Sequence, residues 1–290
     1  MNYILKPIKI IKEFLIIRPR IFSTILFIPF LYLLGWILAK PFLFLGIKEE
    51  YISLIGTILT FLLFVISLPK WFEIRWEFNN PWILLGLNKI DKKDNRFFYF
   101  LKGFLYSIVL LSLILIPIIS NQWGSWLGKL SPEILLNSLL LIIGIGFAEE
   151  LVFRGWLLEE LKNQYGFKKA LIFQALVFSI VHIGLDMPFW QMISILFGLF
   201  LLGIVLSVIR IKDNNSLWGC AGLHGGLVGI WFLMNNGLIE ISKEAPIWLV
   251  GPGNINTNPL GGIYGITLLI LILFYILFKY KKKIFKFNNE

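Results

Sequence analysis

The chain has 290 residues, 58% of them hydrophobic, and its mean hydropathy is +0.80. A soluble domain of this length cannot hide that much apolar surface, so composition places the chain among membrane proteins. The formal charge is +10, but Lys and Arg lie between long apolar runs, which is the positive-inside pattern and not a nucleic-acid-binding face.

The N-terminus carries Lys6, Lys9, Lys12, Arg18 and Arg20 ahead of an apolar run from Ile21 to Ile47. That run is too long for a signal-peptide core and has no small-x-small cleavage site, so it reads as a retained first transmembrane helix. A spanning helix needs about 20 apolar residues. Eight stretches qualify: 21–46, 52–69, 98–119, 134–158, 168–187, 189–209, 217–236 and 262–279.

The connections alternate in charge. The 70–97 loop holds Lys70, Arg75, Lys89, Lys92, Lys93 and Arg96. The 159–169 loop holds Lys162, Lys168 and Lys169, and the 210–216 turn holds Arg210 and Lys212. The tail carries Lys279, Lys281, Lys282, Lys283 and Lys286. The intervening 120–133, 183–189 and 237–261 connections are neutral or acidic. Every second connection being basic predicts an integral, multi-pass protein with both termini in the cytoplasm. Between Pro69 and Asn95, Trp71, Phe72, Trp76, Phe78 and Trp82 interleave with charges. An interfacial segment with aromatic anchors is expected there.

No repeat or low-complexity linker divides the chain. The fold class expected is all-α: a polytopic membrane helical bundle of about eight transmembrane helices with a polar site inside. Within this one integral unit, residues 1–120 form the N-terminal transmembrane helices with a cytoplasmic interfacial loop. Residues 121–290 form the core and C-terminal helix.

The polar site is expected around Glu149, Glu150 and Arg154, which follow an apolar run from Ile134 to Phe147 and should continue it as one helix. Ionisable groups at that depth are costly and mark functional sites by default. With Glu149 at zero on a helical wheel, Glu150 lies at ~100° and Arg154 at ~140°. Glu150 and Arg154 are i,i+4 neighbours in the favoured order for an ion pair. Glu149 points elsewhere and needs another partner. A purely structural salt-bridge cluster is the alternative reading of these three residues.

The chain's two histidines, His182 and His224, both lie inside apolar segments. Measured from the nearest basic connection, Glu149, His182 and His224 sit roughly 16, 21 and 18 Å deep. All three can therefore meet in one layer. Two imidazoles and a carboxylate are also the ligand set of many catalytic zinc sites, although no HExxH helix is present. Cys220 lies four residues before His224 and is a candidate for the same face, with a small packing residue as the alternative. As the single cysteine, it excludes an intrachain disulfide. Asp186, four residues after His182, is a candidate to orient that imidazole.

Glu149-Glu150-x-x-x-Arg154, then Phe178-x-x-x-His182, then His224, in that order on successive helices, resemble the three motifs of the CPBP family. That family comprises CAAX-type prenyl-protein endopeptidases and bacteriocin-processing or immunity proteins, also called Abi proteins. The resemblance covers roughly residues 134–236 and makes residues 121–290 a CAAX-protease-like core. It implies an intramembrane metalloendopeptidase acting on a membrane-associated protein or peptide within the lipid bilayer. By residue, Glu149 would activate the attacking water, and His182 would assist it or bind metal. His224 would bind metal or stabilise the oxyanion, and Glu150 and Arg154 would be the brace. A tentative Zn2+ site would take Glu149, His182 and His224 as ligands. Glutamate-based hydrolysis without metal is the other version. The third motif departs from the family pattern, with Val228 standing where Asn or Asp is usual. That departure favours the alternative of a non-catalytic immunity or scaffold protein. A proton-relay transporter has the right residue types but lacks paired broken helices in two matching halves. Ile-, Lys- and Asn-rich usage points to an AT-rich bacterial genome and a bacterial-type inner (or thylakoid) membrane.

Overall fold

In a computed structural model, residues 13, 15–88, 95–184, 186–253 and 258–287 are described. Lys6, Lys9 and Lys12 of the basic N-terminus, and Lys89, Lys92 and Lys93 of the 70–97 loop, lie outside them. The chain belongs to the all-α polytopic class, and each of the eight apolar stretches is helical. They are α1 (Ile21–Ala39), α2 (Glu49–Trp76), α3 (Arg96–Ser120), α4 (Pro132–Tyr165), α5 (Phe167–Ile180), α6 (Phe189–Lys212), α7 (Trp218–Leu233) and α8 (Ile263–Lys279). A short α9 (Lys281–Phe287) follows. Among the described residues, α2, α3, α4, α6 and α1 with its 310 extension to Leu45 are long and apolar enough to cross a membrane. At 1.5 Å per residue, α5, α7 and α8 span only about 21–26 Å.

The chain forms two compact units, 1–82 and 83–290. In the first, α1 packs against α2. Helix α2 continues through Pro69 as far as Trp76, so the expected interfacial loop is shorter than its aromatic pattern implies. Trp71 is buried and stacks on Phe27 with ring centroids 4.0 Å apart. Arg75, also buried, gives hydrogen bonds to Arg20 O and Thr24 Oγ1, both at 3.1 Å, and lies 4.5 Å over the Trp71 ring. Periodicity on α2 therefore turns Trp71 inward, where it shields a guanidinium, while Phe78 is exposed.

In the second unit, α7 is the central element. It packs on α3 and on α4, and ten of its sixteen residues are buried. A β-carbon at Gly222 would collide with Phe100 O of α3, and one at Gly225 with Ile142 O of α4. Gly222-x-x-x-Gly226 and Gly225-x-x-x-Gly229 thus form two small-residue ridges facing two different helices. Without a hydrophobic drive between helices in lipid, this close approach is how such helices gain van der Waals contact. Ser138 Oγ of α4 donates to Gly229 O at 2.9 Å and fixes the register.

The connections of this unit gather at two ends. At one, Arg210 Nη2 meets Glu159 at 2.9 Å and Leu84 O at 2.6 Å, and Lys283 Nζ donates to Lys212 O at 2.7 Å. These contacts bring together all the basic connections of the unit. At the other end, β1 (Gly124–Trp126) pairs antiparallel with β2 (Ile239–Ile241). Two of the three neutral or acidic connections, 120–133 and 237–261, therefore share one side, as the charge alternation requires.

Candidate active site

Helix α4 carries the carboxylates on irregular backbone. Two π-helical turns, Leu141–Ile145 and Leu151–Leu157, flank the α-helical Gly146–Glu150 segment. Such turns are rare and concentrate at functional sites. A π turn leaves carbonyls poorly aligned with their own helix. Here Arg210 Nη1 of α6 donates to Arg154 O. Arg210 is itself buried and neutralised by Glu159.

Glu150 and Arg154 pair as their spacing predicts, Oε1 to Nη1 at 2.9 Å with both side chains 0% exposed. The same Glu150 oxygen stands 2.8 Å from His224 Nδ1. The pair therefore does more than brace α4: it holds α7 by its histidine. The Arg154 guanidinium also lies 4.0 Å over the Phe178 ring.

Glu149 points away from this pair, as its angular position requires. Its Oε2 lies 3.0 Å from His182 Nε2 and 3.8 Å from His224 Nε2. Glu149 and His182 are each 28% exposed, so both can meet a substrate. His182 Nδ1 is 2.6 Å from Phe178 O. A carbonyl only accepts, so Nδ1 carries a hydrogen and Nε2 faces the carboxylate. One proton is then shared across the Glu149–His182 contact. That single proton makes the cluster of two carboxylates and one guanidinium neutral, the state a low-dielectric interior favours. By the same logic His224 donates through Nδ1 to Glu150, leaving the Nε2 lone pair directed at Glu149.

Phe178 organises the aromatic side. Its buried ring stands 4.6 Å from the His182 ring and 5.5 Å from the His224 ring, centroid to centroid. Phe178 lies in the last turn of α5 and His182 in the turn that follows its end at Ile180.

The group opens into a cavity of about 420 Å3, lined mainly by apolar side chains from α3, α4, α6, α7 and α8. Val228 is among them, one turn beyond His224. Asn235, Asn236 and Asn258 line the same cavity.

The segment bearing all five residues matches a family model described as type II CAAX prenyl endopeptidase, Rce1-like, over residues 131–230. Residues 131–230 are thus similar to an Rce1-like domain. This domain starts at Ser131, whose Oγ caps α4 by accepting from Ile134 N at 3.2 Å, and it ends within α7. Residues 6–80 match a second model, a domain of unknown function named DUF8676. No curated protein and no solved structure matches the chain.

Two candidates stand apart from the site of the Rce1-like domain. Cys220 is buried and its Sγ donates to Leu206 O at 3.1 Å, so it packs α7 against α6. Asp186 is exposed, and the Phe178 carbonyl orients His182 in its place. Conversely, Arg210, Glu159 and the glycine ridges of α7 support the site without having been singled out from the sequence. The ridges were legible as paired Gly-x-x-x-Gly motifs.

The donor types suit Zn2+, since both imidazoles have Nδ1 occupied by an oxygen and Nε2 turned toward Glu149. Their placement does not suit it. Glu149 Oε2 touches His182 Nε2 directly, and no three His, Cys, Asp or Glu side chains among the described residues are disposed to hold a metal ion.

Proposed function

We propose that this chain is an intramembrane endopeptidase of the CAAX-protease type, hydrolysing a peptide bond of a membrane-associated substrate. The observation that carries the reading is the 3.0 Å contact between Glu149 and His182 at the wall of an apolar cavity. Nearby, His224 is held in place by a fully buried ion pair.

The reaction follows from these contacts. Glu149 takes a proton from water as its oxygen attacks the scissile carbonyl carbon. His224 Nε2 accepts from the second water hydrogen and fixes the attack direction. His182, bearing the shared proton on Nε2, donates a hydrogen bond to the oxyanion. When the C–N bond breaks, the proton held by Glu149 passes to the leaving amine, and the acyl fragment keeps the hydroxyl. A positioned general base is worth about 10²–10⁴ in rate, and an oxyanion donor about 10²–10³. The zinc version would use Glu149, His182 and His224 as ligands, and chelation distinguishes the two.

Val228 favours a second reading, a non-catalytic immunity or scaffold protein, because it presents an apolar side chain to the cavity where the resemblance has Asn or Asp. Complementation decides between them. In a deletion strain, Glu149→Gln fails to restore the wild-type phenotype if the chain is a protease. It restores that phenotype fully if the chain acts only by binding.

A further inference from the structure

A second cavity, of about 330 Å3, lies between α3, α6 and α8 at the basic end. Its lining divides by chemistry. Lys102, Lys212 and Lys279 come from three different helices, while Val109, Leu113 and Leu271 supply apolar walls. Tyr106, Tyr275 and Tyr280 also line it.

The lysines are placed by specific contacts. Lys102 Nζ and Lys212 Nζ lie 5.9 and 5.3 Å from the centroid of the same Tyr106 ring. Lys279 Nζ donates to Tyr275 Oη at 2.8 Å. Lys283 adds a fourth cation at the rim, donating to Lys212 O and to Asn214 Oδ1. The Lys212 side chain is only 5% exposed. Asp213 stands 3.3 Å from Lys212, and among the described residues no Asp or Glu lines the cavity itself. Positive charge therefore exceeds negative charge at the mouth of an apolar groove. Lys212 is withdrawn from water against Asp213, while Lys102 is half-buried and Lys279 exposed at the mouth, so a bound anion meets three cations that share one carboxylate. Tyrosines at this level are the usual mark of the membrane interface. Basic pockets between helices at that level suit anionic lipid headgroups.

We propose that this groove binds an anionic phospholipid, its phosphate between Lys102, Lys212 and Lys279 and one acyl chain against Val109, Leu113 and Leu271. Leu110 and Leu268 line both this groove and the cavity beside Glu149, so the bound chain lies against the wall of that cavity. The site does not depend on whether the chain is a protease.

The test is native mass spectrometry of the full-length protein in detergent, titrated with phosphatidylglycerol and phosphatidylcholine of identical acyl chains. Wild type retains phosphatidylglycerol preferentially. Replacing two lysines, Lys102→Gln with Lys279→Gln, lowers that preference on the order of thirtyfold, from about 1 kcal/mol per basic residue. The pair Lys102→Arg with Lys279→Arg keeps it. Equal retention of both lipids by wild type overturns the proposal, as does an unchanged preference in the glutamine pair. Displacement of the lipid by millimolar inorganic phosphate also overturns it, since that marks a simple anion site with no acyl contact. Should the glutamine pair fail to fold, the wild-type discrimination and the phosphate competition still decide.

Discussion

His224 Nδ1 stands 2.8 Å from the Glu150 oxygen that also receives Arg154 Nη1 at 2.9 Å. One carboxylate thus ties α4 to α7 and neutralises a guanidinium that is 0% exposed. Adjacent carboxylates consequently have separate tasks, and their substitution separates stability from activity. Glu150→Ala leaves Arg154 buried without its partner and destabilises the protein by about 3–5 kcal/mol. Glu149→Gln keeps shape and a hydrogen bond to His182, and changes stability by less than about 1 kcal/mol. Thermal unfolding of the two purified variants checks this. Equal losses would show that Glu149 is structural as well.

The close approach of α7 to α4 makes a second prediction. Gly225→Ala drives a methyl into Ile142 O and costs on the order of 1–3 kcal/mol through forced backbone shifts. Gly144→Ala, on α4 but with nothing within 4 Å of the added carbon, stabilises by roughly 0.5–1 kcal/mol through reduced chain entropy. Opposite signs in the same unfolding assay are the expected result.

Asp213 provides a pH test at the basic end. Burial holds its carboxyl above the ordinary carboxylate value, while Lys212 works in the opposite direction. A raised folded-state value means that the protonated form is favoured by folding. Its contribution is full below the unfolded value and is lost as pH rises through the folded one. Asp213→Asn mimics the protonated form. It therefore raises the melting temperature at neutral pH and leaves it unchanged in acid. A shift of equal size at both pH values would contradict the assignment.

Much of this architecture was legible before any coordinates. Length and apolarity located a helix in each of eight stretches, five of them long and apolar enough to cross a membrane among the described residues, because a spanning helix must satisfy its backbone internally over a fixed thickness. Glu149, Glu150, Arg154, His182 and His224 stood out because charge and imidazole are costly among apolar residues. Angular spacing correctly separated Glu149 from Glu150. What stayed hidden depends on tertiary packing. The π turns around Glu149 have no local signature, and Arg210, which takes up the Arg154 carbonyl in the second of them, comes from another helix. The aromatic run after Pro69 read as an interfacial anchor, yet Trp71 turns inward because helix α2 continues and Arg75 needs covering. Asp186 had the right spacing to orient His182, but an i−4 carbonyl was nearer.

Metal dependence separates the two chemical versions of the site. Because Glu149 and His182 are in direct contact, peptide hydrolysis is expected to survive exhaustive chelation, with no stoichiometric zinc in the purified protein by elemental analysis. Activity abolished by a chelator and restored by Zn2+ would assign Glu149, His182 and His224 to a metal instead.

Peptide hydrolysis by Glu149 leaves new C-termini on membrane proteins, which comparative proteomics detects. Cells carrying the wild-type chain are compared with cells carrying Glu149→Gln at the same abundance. A set of C-termini present with wild type and absent with the variant is expected, corresponding to a rate loss of about 10²–10⁴. Identical C-termini in the two strains would contradict it.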